Sequence, residues 1–481
     1  MNREFLHPAI WARDNFAAAK LGDKRRTQRL VESAKRAAAR PGGSLPHMMQ
    51  DPAALDGFYR LVDGEPVTHR SVIEPHLQGT QARMRACPET VLILKDSTEL
   101  DFTTHRTLTK IGQIGNGSRR GYLCHNALAV VARSKEVLGL ADQRLFIRPQ
   151  VPANESRAQK QARQNRQSRL WVDSSDAVGT APEGRRWIEV CDREADTFEY
   201  LCRCFDTGRS FVVRSKSNRN VGYDANGSLL RGKLHEYVRK LPAASDKPLA
   251  IPAREARKAT KNEPARPAQK ARVAQVSISF GRVWLRPPRG HRRGQEELPV
   301  SVVRIWEPQP PPEVDRAEWI LLVREEISTA AEAEACGEWY ESRWIVEEYH
   351  KGQKTGCKIE EPQFETEERL EPTIAFLSVV AVLLLQLRGL SRVPETKDRP
   401  ARERVPLLLI RVLSQWRWPN EPPKEDMTVE MFFMALGRMG GHQNRKQDGP
   451  PGWIVLWRGW TQLQARTDAV RKMQHQRSEE T

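Results

Sequence analysis

The sequence predicts a mixed α/β fold flanked by helical regions at both ends. Two short apolar runs, Val91–Leu94 and Trp187–Cys191, are typical of buried strands, and a polar segment that contains an aspartate follows each directly. Helical patterns occupy residues 10–75 and 427–475, where breaks at proline and glycine separate them. Strands in the middle and helices at the ends together predict an α/β core with helical flanks.

The length of 481 residues exceeds what one hydrophobic core usually serves, so two or three domains are expected. We predict a helical module at 1–75, an α/β core at 76–390 and a helical region at 391–481. Glu347 follows Asp192 by 155 positions (347 minus 192), far more than one crossover connection requires. This spacing predicts a β-rich insertion at about 205–315 within the core.

The spacing of apolar residues and the positions of proline and glycine predict the remaining elements. Further strands are expected at Leu123–Val131, Val137–Ile147, Phe211–Lys216, Gln275–Leu285, Val300–Trp306 and Trp319–Val323. Helices are expected at Arg29–Arg40, Asp51–Asp63, 153–170, 331–354 and Ile374–Leu387, the last as an apolar core helix. The basic, proline-containing stretch 246–272 predicts a loop.

The charge balance favours a polyanionic partner. Lys and Arg total 78 against 61 Asp and Glu, a formal net charge of +17. Cations that neutralise phosphates release condensed counterions, which drives binding to nucleic acid. Charge alone would equally fit a ribosomal or membrane-surface protein.

The sequence gives no sign of secretion or membrane insertion. The seven cysteines are scattered, and Cys202-x-Cys204 lacks a second pair at zinc-site spacing, so a reducing cytoplasm is the simplest compartment. The N-terminus lacks the apolar stretch of a signal peptide. The longest apolar run, Ile374–Leu387, is interrupted by Ser378 and Gln386 and is too short to span a bilayer.

One predicted helix carries a patterned set of polar residues: Tyr340, Arg343, Glu347, Lys351 and Lys354. They fall at offsets 0, 3, 7, 11 and 14, and at ~100° per residue they lie within roughly 80° of one another. On this segment alone, a solvated face of Glu–Lys pairs is the more ordinary explanation.

The run Tyr340–Lys354 resembles the Y-x2-R-x3-E-x6-K signature of bacterial insertion-sequence transposases, which have ribonuclease-H-like catalytic cores. Leu94–Thr98 and Val190–Asp196 are similar to the segments around the family's first and second aspartates. Similarity extends over nearly the whole chain, through Leu21–Arg26, Phe211–Lys216 and Leu436–Gly441. The chain resembles most the cut-and-paste transposases of composite transposons that end in inverted insertion sequences. Departures cluster in 153–183 and 240–297.

The resemblance implies a catalytic and metal-binding triad of Asp96, Asp192 and Glu347. Three carboxylates suit two Mg²⁺ ions, with Mn²⁺ as a substitute, and two such ions ~3.5–4 Å apart serve in-line displacement at phosphorus. The neighbouring acids need separate assignments. We expect Glu194 and Asp196 to support the site or face solvent, and Glu348 to be a surface charge.

The resemblance also implies DNA contacts. Arg343 and Lys354 would hold phosphates near the scissile bond, and Tyr340 could contact the same phosphate. Trp319 aligns with a tryptophan that stacks on a flipped base, an interaction worth ~1–3 kcal/mol, although a core tryptophan is an equal alternative. The resemblance further implies contacts to the DNA backbone or to the transposon-end sequence from Arg26, Arg29, Arg60, Arg214, Lys216 and Lys351.

The implied activity is transposition. The family binds inverted terminal repeats as a homodimer, cleaves the ends through a hairpin and joins the 3′ ends to target DNA. The C-terminal segments Met431–Met439 and Trp453–Leu463 are candidate pairing surfaces, unless they pack within one subunit. Two alternatives stay open: a structure-specific nuclease that cuts without joining, and a catalytically silent DNA-binding inhibitor.

Overall fold

The computed structural model forms two compact units, Met1–Gln167 with Trp344–Thr481 (the first unit) and Ser168–Arg343 (the second unit). The residues it describes are 7–115, 117–151, 154–156, 159–160, 163–230, 232–251, 256, 265, 267–288, 297–312, 314, 316–390, 397–445 and 448–479. The two units do not test the domain bounds that the sequence predicts at 75 and 390, and those bounds stay a prediction.

Helices and strands are numbered here in chain order. The helices are α1 (Pro8–Phe16), α2 (Lys24–Ala39), α3 (Leu45–Met49), α4 (Pro52–Val62), α5 (His69–Ala86), α6 (Arg169–Val178), α7 (Phe198–Asp206), α8 (Leu234–Val238), α9 (Ala330–Glu341), α10 (Trp344–Lys351), α11 (Glu367–Leu390), α12 (Leu407–Arg417), α13 (Val429–Met439) and α14 (Trp453–Glu479). The strands are β1 (Val91–Asp101), β2 (Gly112–Gln113), β3 (Arg120–Val131), β4 (Val137–Phe146), β5 (Trp187–Cys191), β6 (Ser210–Arg214), β7 (Val221–Asp224), β8 (Ser245–Ile251), β9 (Arg272–Leu285), β10 (Leu298–Trp306) and β11 (Glu318–Val323). The predicted α/β class is confirmed.

Helix starts follow from side chains that accept the free N–H groups of the first turn. Thr68 and Ser71 form a reciprocal capping box at the start of α5, and Thr329 and Glu332 do the same for α9. Asp51 accepts the N–H of Ala53 at 3.0 Å at the start of α4. These caps fix the helix boundaries locally.

The first unit contains an antiparallel sheet in which β3 is the central strand. β1 pairs with β3 in unbroken register from Val91↔Val131 to Asp101↔Gly121, and β2 and β4 also pair with β3. Asp96 was predicted to follow the end of a strand, which is wrong: β1 continues to Asp101 because its backbone stays paired.

The second unit contains a mixed sheet. β5 and β6 are parallel, β6 pairs antiparallel with β11, and β11, β10 and β9 continue in antiparallel order. β7 and β8 both pair with β9. The predicted loop at 246–272 is wrong at its start, where β8 lies, while 252–255, 257–264 and 266 of that stretch are outside the described residues.

Helix α11 is the core of the first unit. It packs against α2, α4, α5, β4 and α14. By length and composition it could span a membrane, but 94% of its most apolar window is buried inside the protein. The predicted core helix is confirmed, and it is longer than the apolar run alone indicated.

The predicted helix over 331–354 is wrong, because the chain turns at Ser342 and Arg343 between α9 and α10. The buried Ser342 hydroxyl donates to the Glu338 carbonyl at 2.8 Å, and the Arg343 N–H bonds back only three residues, to the Tyr340 carbonyl. Such bonds bend and tighten a helix. The five patterned residues therefore do not share one helix face, and a π-helical turn, Gly352–Gly356, holds Lys354.

Gly440 and Gly459 allow the backbones of helices α13 and α14 to approach each other closely. A Cβ atom on Gly440 would lie 1.7 Å from the Val455 carbonyl oxygen, and one on Gly459 would lie 2.0 Å from that of Leu436. Most apolar side chains of α13 and three of α14, Leu456, Trp460 and Leu463, are buried in one cluster, whereas Met431 and Ile454 remain exposed. Packing within the unit therefore accounts for much of this candidate pairing surface.

Truncation of Phe376 on α11 should destabilise the protein strongly. Its ring is fully buried, 5.0 Å from the Phe58 ring and 5.7 Å from the Phe16 ring between centroids. We expect Phe376→Ala to lower the free energy of unfolding by about 3–5 kcal/mol in urea denaturation. The exposed Met431→Ala should change it by less than about 0.5 kcal/mol. Equal stability of the two variants would contradict this central position of α11.

Candidate functional site

Asp96 lies within β1, directly opposite Asn126 of β3. Its Oδ1 accepts the N–H of Ser97 at 2.8 Å, and its side chain is partly exposed. Neighbouring residues across an antiparallel pair point to the same sheet face. Asp96 and Asn126 therefore share one face.

A buried hydrogen-bond network on that face holds α10 to the sheet. The Asn126 Nδ2 atom lies 3.1 Å from His350 Nε2, and Gln143 Nε2 donates to Asn126 Oδ1 at 2.7 Å. Gln143 also donates to Ser378 Oγ of α11 at 3.1 Å. Glu347 precedes His350 by one helical turn and is exposed. The first unit thus holds the helix that carries Glu347 against the sheet that carries Asp96.

Glu348 differs from the sequence prediction of a surface charge. Its side chain is 14% exposed and lies between Arg388 and Lys351, with both nitrogen–oxygen distances at 3.1 Å. It is therefore neutralised by two cations. Lys354 lies 3.5 Å from Glu360, so Lys351 and Lys354 both have carboxylate neighbours in the first unit.

Asp192 directly follows β5, as the sequence predicts. Its Oδ1 accepts the N–H of Glu194 at 2.8 Å and caps the short 3₁₀ helix Arg193–Ala195. Cys191 is in register with Val213 in the parallel pair β5–β6, so Asp192 and Arg214 lie at the same sheet edge.

The two acids after Asp192 have different surroundings. Glu194 is exposed, whereas Asp196 is 5% exposed. Asp196 Oδ2 accepts the N–H groups of Lys216 and Ser217, both at 2.7 Å. Asp196 is thus a buried support, and its oxygens already have partners within the second unit.

Trp319, Tyr340, Arg343 and Arg214 form an aromatic and cationic cluster in the second unit. The Trp319 and Tyr340 rings meet edge to face at 5.2 Å, and the Arg343 guanidinium lies 6.0 Å from the Tyr340 ring. The Tyr340 hydroxyl is within hydrogen-bonding reach of Arg214, whose pKa is lowered by burial. Tyr340 is buried, whereas Trp319 is only partly buried.

The predicted cations of the N-terminal module differ in exposure. Arg29 and Arg60 are exposed, and Arg60 pairs with Asp56 one turn earlier. Arg26 is partly buried and donates to the Leu21 carbonyl at 3.2 Å. Arg29 and Arg60 are therefore the better placed of the three for a partner.

The three predicted metal ligands are divided between the units: Asp96 and Glu347 belong to the first and Asp192 to the second. Among the residues that the structure describes, no group of three or more His, Cys, Asp or Glu side chains is arranged to hold a metal ion. The triad remains a prediction from the sequence.

Sequence reasoning missed the network around Asn126 and Gln143. A signal was present, because His125-Asn126 and Asp142-Gln143 interrupt otherwise apolar strands. Polar side chains in such strands require hydrogen-bond partners when buried. His350 is buried and belongs to this network through Asn126.

A family model described as transposase DNA-binding matches residues 8–67. This stretch includes α1 to α4 and ends just before α5. The match covers only the N-terminal part of the chain, and it supports a transposase that binds DNA.

Replacing Asn126 should destabilise the first unit. We expect Asn126→Leu to lower the free energy of unfolding by about 1–3 kcal/mol, because His350 and Gln143 would each lose a buried partner. Urea denaturation checks this, with the exposed Gln78→Leu on α5 as the control. A loss no larger than the control would mean that the network contributes nothing to stability.

Proposed function

We propose that the chain is a DNA transposase that binds inverted terminal repeats, cleaves the ends and joins the 3′ ends to target DNA. The observation that carries the proposal is the transposase DNA-binding match over residues 8–67. The motifs around Asp96, Asp192 and Glu347, in the order that the resemblance implies, support cleavage and joining of DNA by the same chain. The 78 basic residues against 61 acidic ones favour binding to DNA phosphates.

We infer a ribonuclease-H-like catalytic core. Support comes from the strands, since three long antiparallel strands, β1, β3 and β4, precede the parallel pair β5–β6 in the chain. Asp96 lies on the first of these strands and Asp192 directly follows β5. The β-rich insertion at about 205–315 would include β7 to β10.

The proposed active site consists of Asp96, Asp192 and Glu347. Carboxylate oxygens suit Mg²⁺ or Mn²⁺, and two such ions would activate the attacking oxygen and stabilise the leaving oxygen. Ser97 and Glu194 orient the two aspartates through their N–H groups. Ionised carboxylates repel one another without a cation, so assembly is expected in the metal-bound protein.

The remaining residues would bind DNA. Arg343, Lys351 and Lys354 supply cations on both sides of Glu347 in the sequence, and Tyr340 would orient Arg214. Arg26, Arg29 and Arg60 are proposed end contacts of the N-terminal module, with Arg29 and Arg60 exposed. A homodimer acting in the cytoplasm completes the proposal.

Products distinguish this proposal from its two alternatives. The assay would combine purified protein, Mg²⁺, a supercoiled target plasmid and labelled DNA that carries the sequences flanking the reading frame. Labelled ends joined to the plasmid indicate a transposase. Cut but unjoined ends indicate a nuclease, and bound but uncut ends indicate an inhibitor.

Asp192→Ala should abolish cleavage in this assay while DNA binding persists, because the variant removes a proposed metal ligand and leaves the N-terminal module intact. Gel electrophoresis of the labelled ends measures cleavage, and a mobility shift measures binding. The exposed neighbour Glu194→Ala is the matched control and should cleave like wild type. Excision by Asp192→Ala at the wild-type rate would refute the triad.

Trp319→Ala should spare first-strand nicking and slow hairpin formation, since the proposed stacking on a flipped base is worth about 1–3 kcal/mol, or roughly 5- to 150-fold in rate. Denaturing gels resolve nicked from hairpin products over time. The control is Trp306→Ala in the same unit. Equal loss of both steps would instead identify Trp319 as a structural tryptophan.

A further inference from the structure

Asp196 and Arg219 form a buried ion pair at the sheet edge where Asp192 lies. The Arg219 Nη2 atom is 2.7 Å from Asp196 Oδ1, and the two side chains are 11% and 0% exposed. Arg219 also donates to the Asp196 main-chain carbonyl at 2.7 Å. A buried carboxylate and guanidinium with these bonds hold each other in one geometry.

The pair fixes the segment that follows β6, residues 215–219, which we term the β6 loop. Asp196 accepts the N–H groups of Lys216 and Ser217, while Ser215 donates its N–H to the Ile320 carbonyl at 2.7 Å. The Ser215 hydroxyl lies 3.0 Å from His235 Nε2. The β6 loop is therefore tied down on both of its sides.

Lys216 is an exposed cation of this loop, and its side chain can reach a partner. Its N–H is engaged by Asp196, whereas the Lys216 residue is exposed. The short 3₁₀ turn Arg193–Ala195 links Asp192 to Asp196. Asp196 thus connects the strand end that carries Asp192 to the loop that presents Lys216.

We propose that Asp196, paired with Arg219, is a positioning residue that sets the β6 loop so that Lys216 contacts a DNA phosphate beside Asp192. The inference rests on the proposed function and assigns Asp196 a role distinct from metal binding. Without the pair, the loop would sample other conformations and the ammonium group would lose its fixed place. The contribution of Lys216 to DNA binding would then disappear.

The test is a double-mutant cycle on DNA binding by Asp196→Asn and Lys216→Ala. The probe is a fluorescently labelled random-sequence DNA duplex, and anisotropy gives Kd at several salt concentrations without Mg²⁺. Loss of one phosphate contact should reduce the slope of log K against log salt by about 0.9. We expect each single variant to reduce the slope by this amount, and the double variant to reduce it no further.

Controls separate positioning from general destabilisation. Asp176→Asn removes a carboxylate that pairs with Arg203 and Arg209 elsewhere in the second unit, so Lys216→Ala should keep its full effect in that background. Arg219→Gln tests the pair from its other side and should reproduce Asp196→Asn. Thermal melting of every variant reports folding.

The inference is overturned if the losses of Asp196→Asn and Lys216→Ala add, or if Asp196→Asn melts earlier but keeps the wild-type salt slope. Should Asp196→Asn fail to fold, Arg219→Gln decides by the same criteria. Failure of the wild-type chain to bind the duplex at all would instead overturn the proposed function, and this inference with it.

Discussion

The structure of the first unit depends on burying helix α11, which is apolar around its whole circumference. Such a helix must be covered on every side, because leaving large aliphatic and aromatic side chains in water costs about 1.5–3 kcal/mol each. Segments from both ends of the chain supply this cover: α2, α4 and α5 precede it by some three hundred residues, and α14 follows it. The region matched as transposase DNA-binding is therefore built into the same core that supports Asp96 and Glu347.

Buried polar groups then determine where the functional elements lie. Apolar packing tolerates small shifts, whereas hydrogen bonds such as those between Asn126 and His350 and from the Lys216 N–H to Asp196 are directional. In the first unit these bonds fix the helix that carries Glu347. In the second unit they fix the loop beside Asp192. Each proposed catalytic carboxylate thus has buried neighbours that hold its element in place.

Much of the fold follows from local sequence. The run Trp187–Cys191 predicted β5 because a short apolar stretch before a polar turn is typical of a buried strand, and Ile374–Leu387 predicted the core helix for a similar reason. The prediction for 331–354 failed at Ser342, where a hydroxyl bonds back to the Glu338 carbonyl, and no residue pattern gives that bond. β1 ran past Asp96 because β3 pairs with it, which is a non-local effect.

The sequence by itself determined the α/β class, the helical flanks, the basic charge and the order of the motifs, since periodicity, composition and spacing are properties of the chain alone. Only the tertiary structure decided the roles of neighbouring acids: Glu194 faces solvent, Asp196 is buried against Arg219, and Glu348 is neutralised by Arg388 and Lys351. The physical reason is that the environment of a carboxylate depends on which distant groups fold against it. Residues one to four positions apart share a sequence context but not a set of partners.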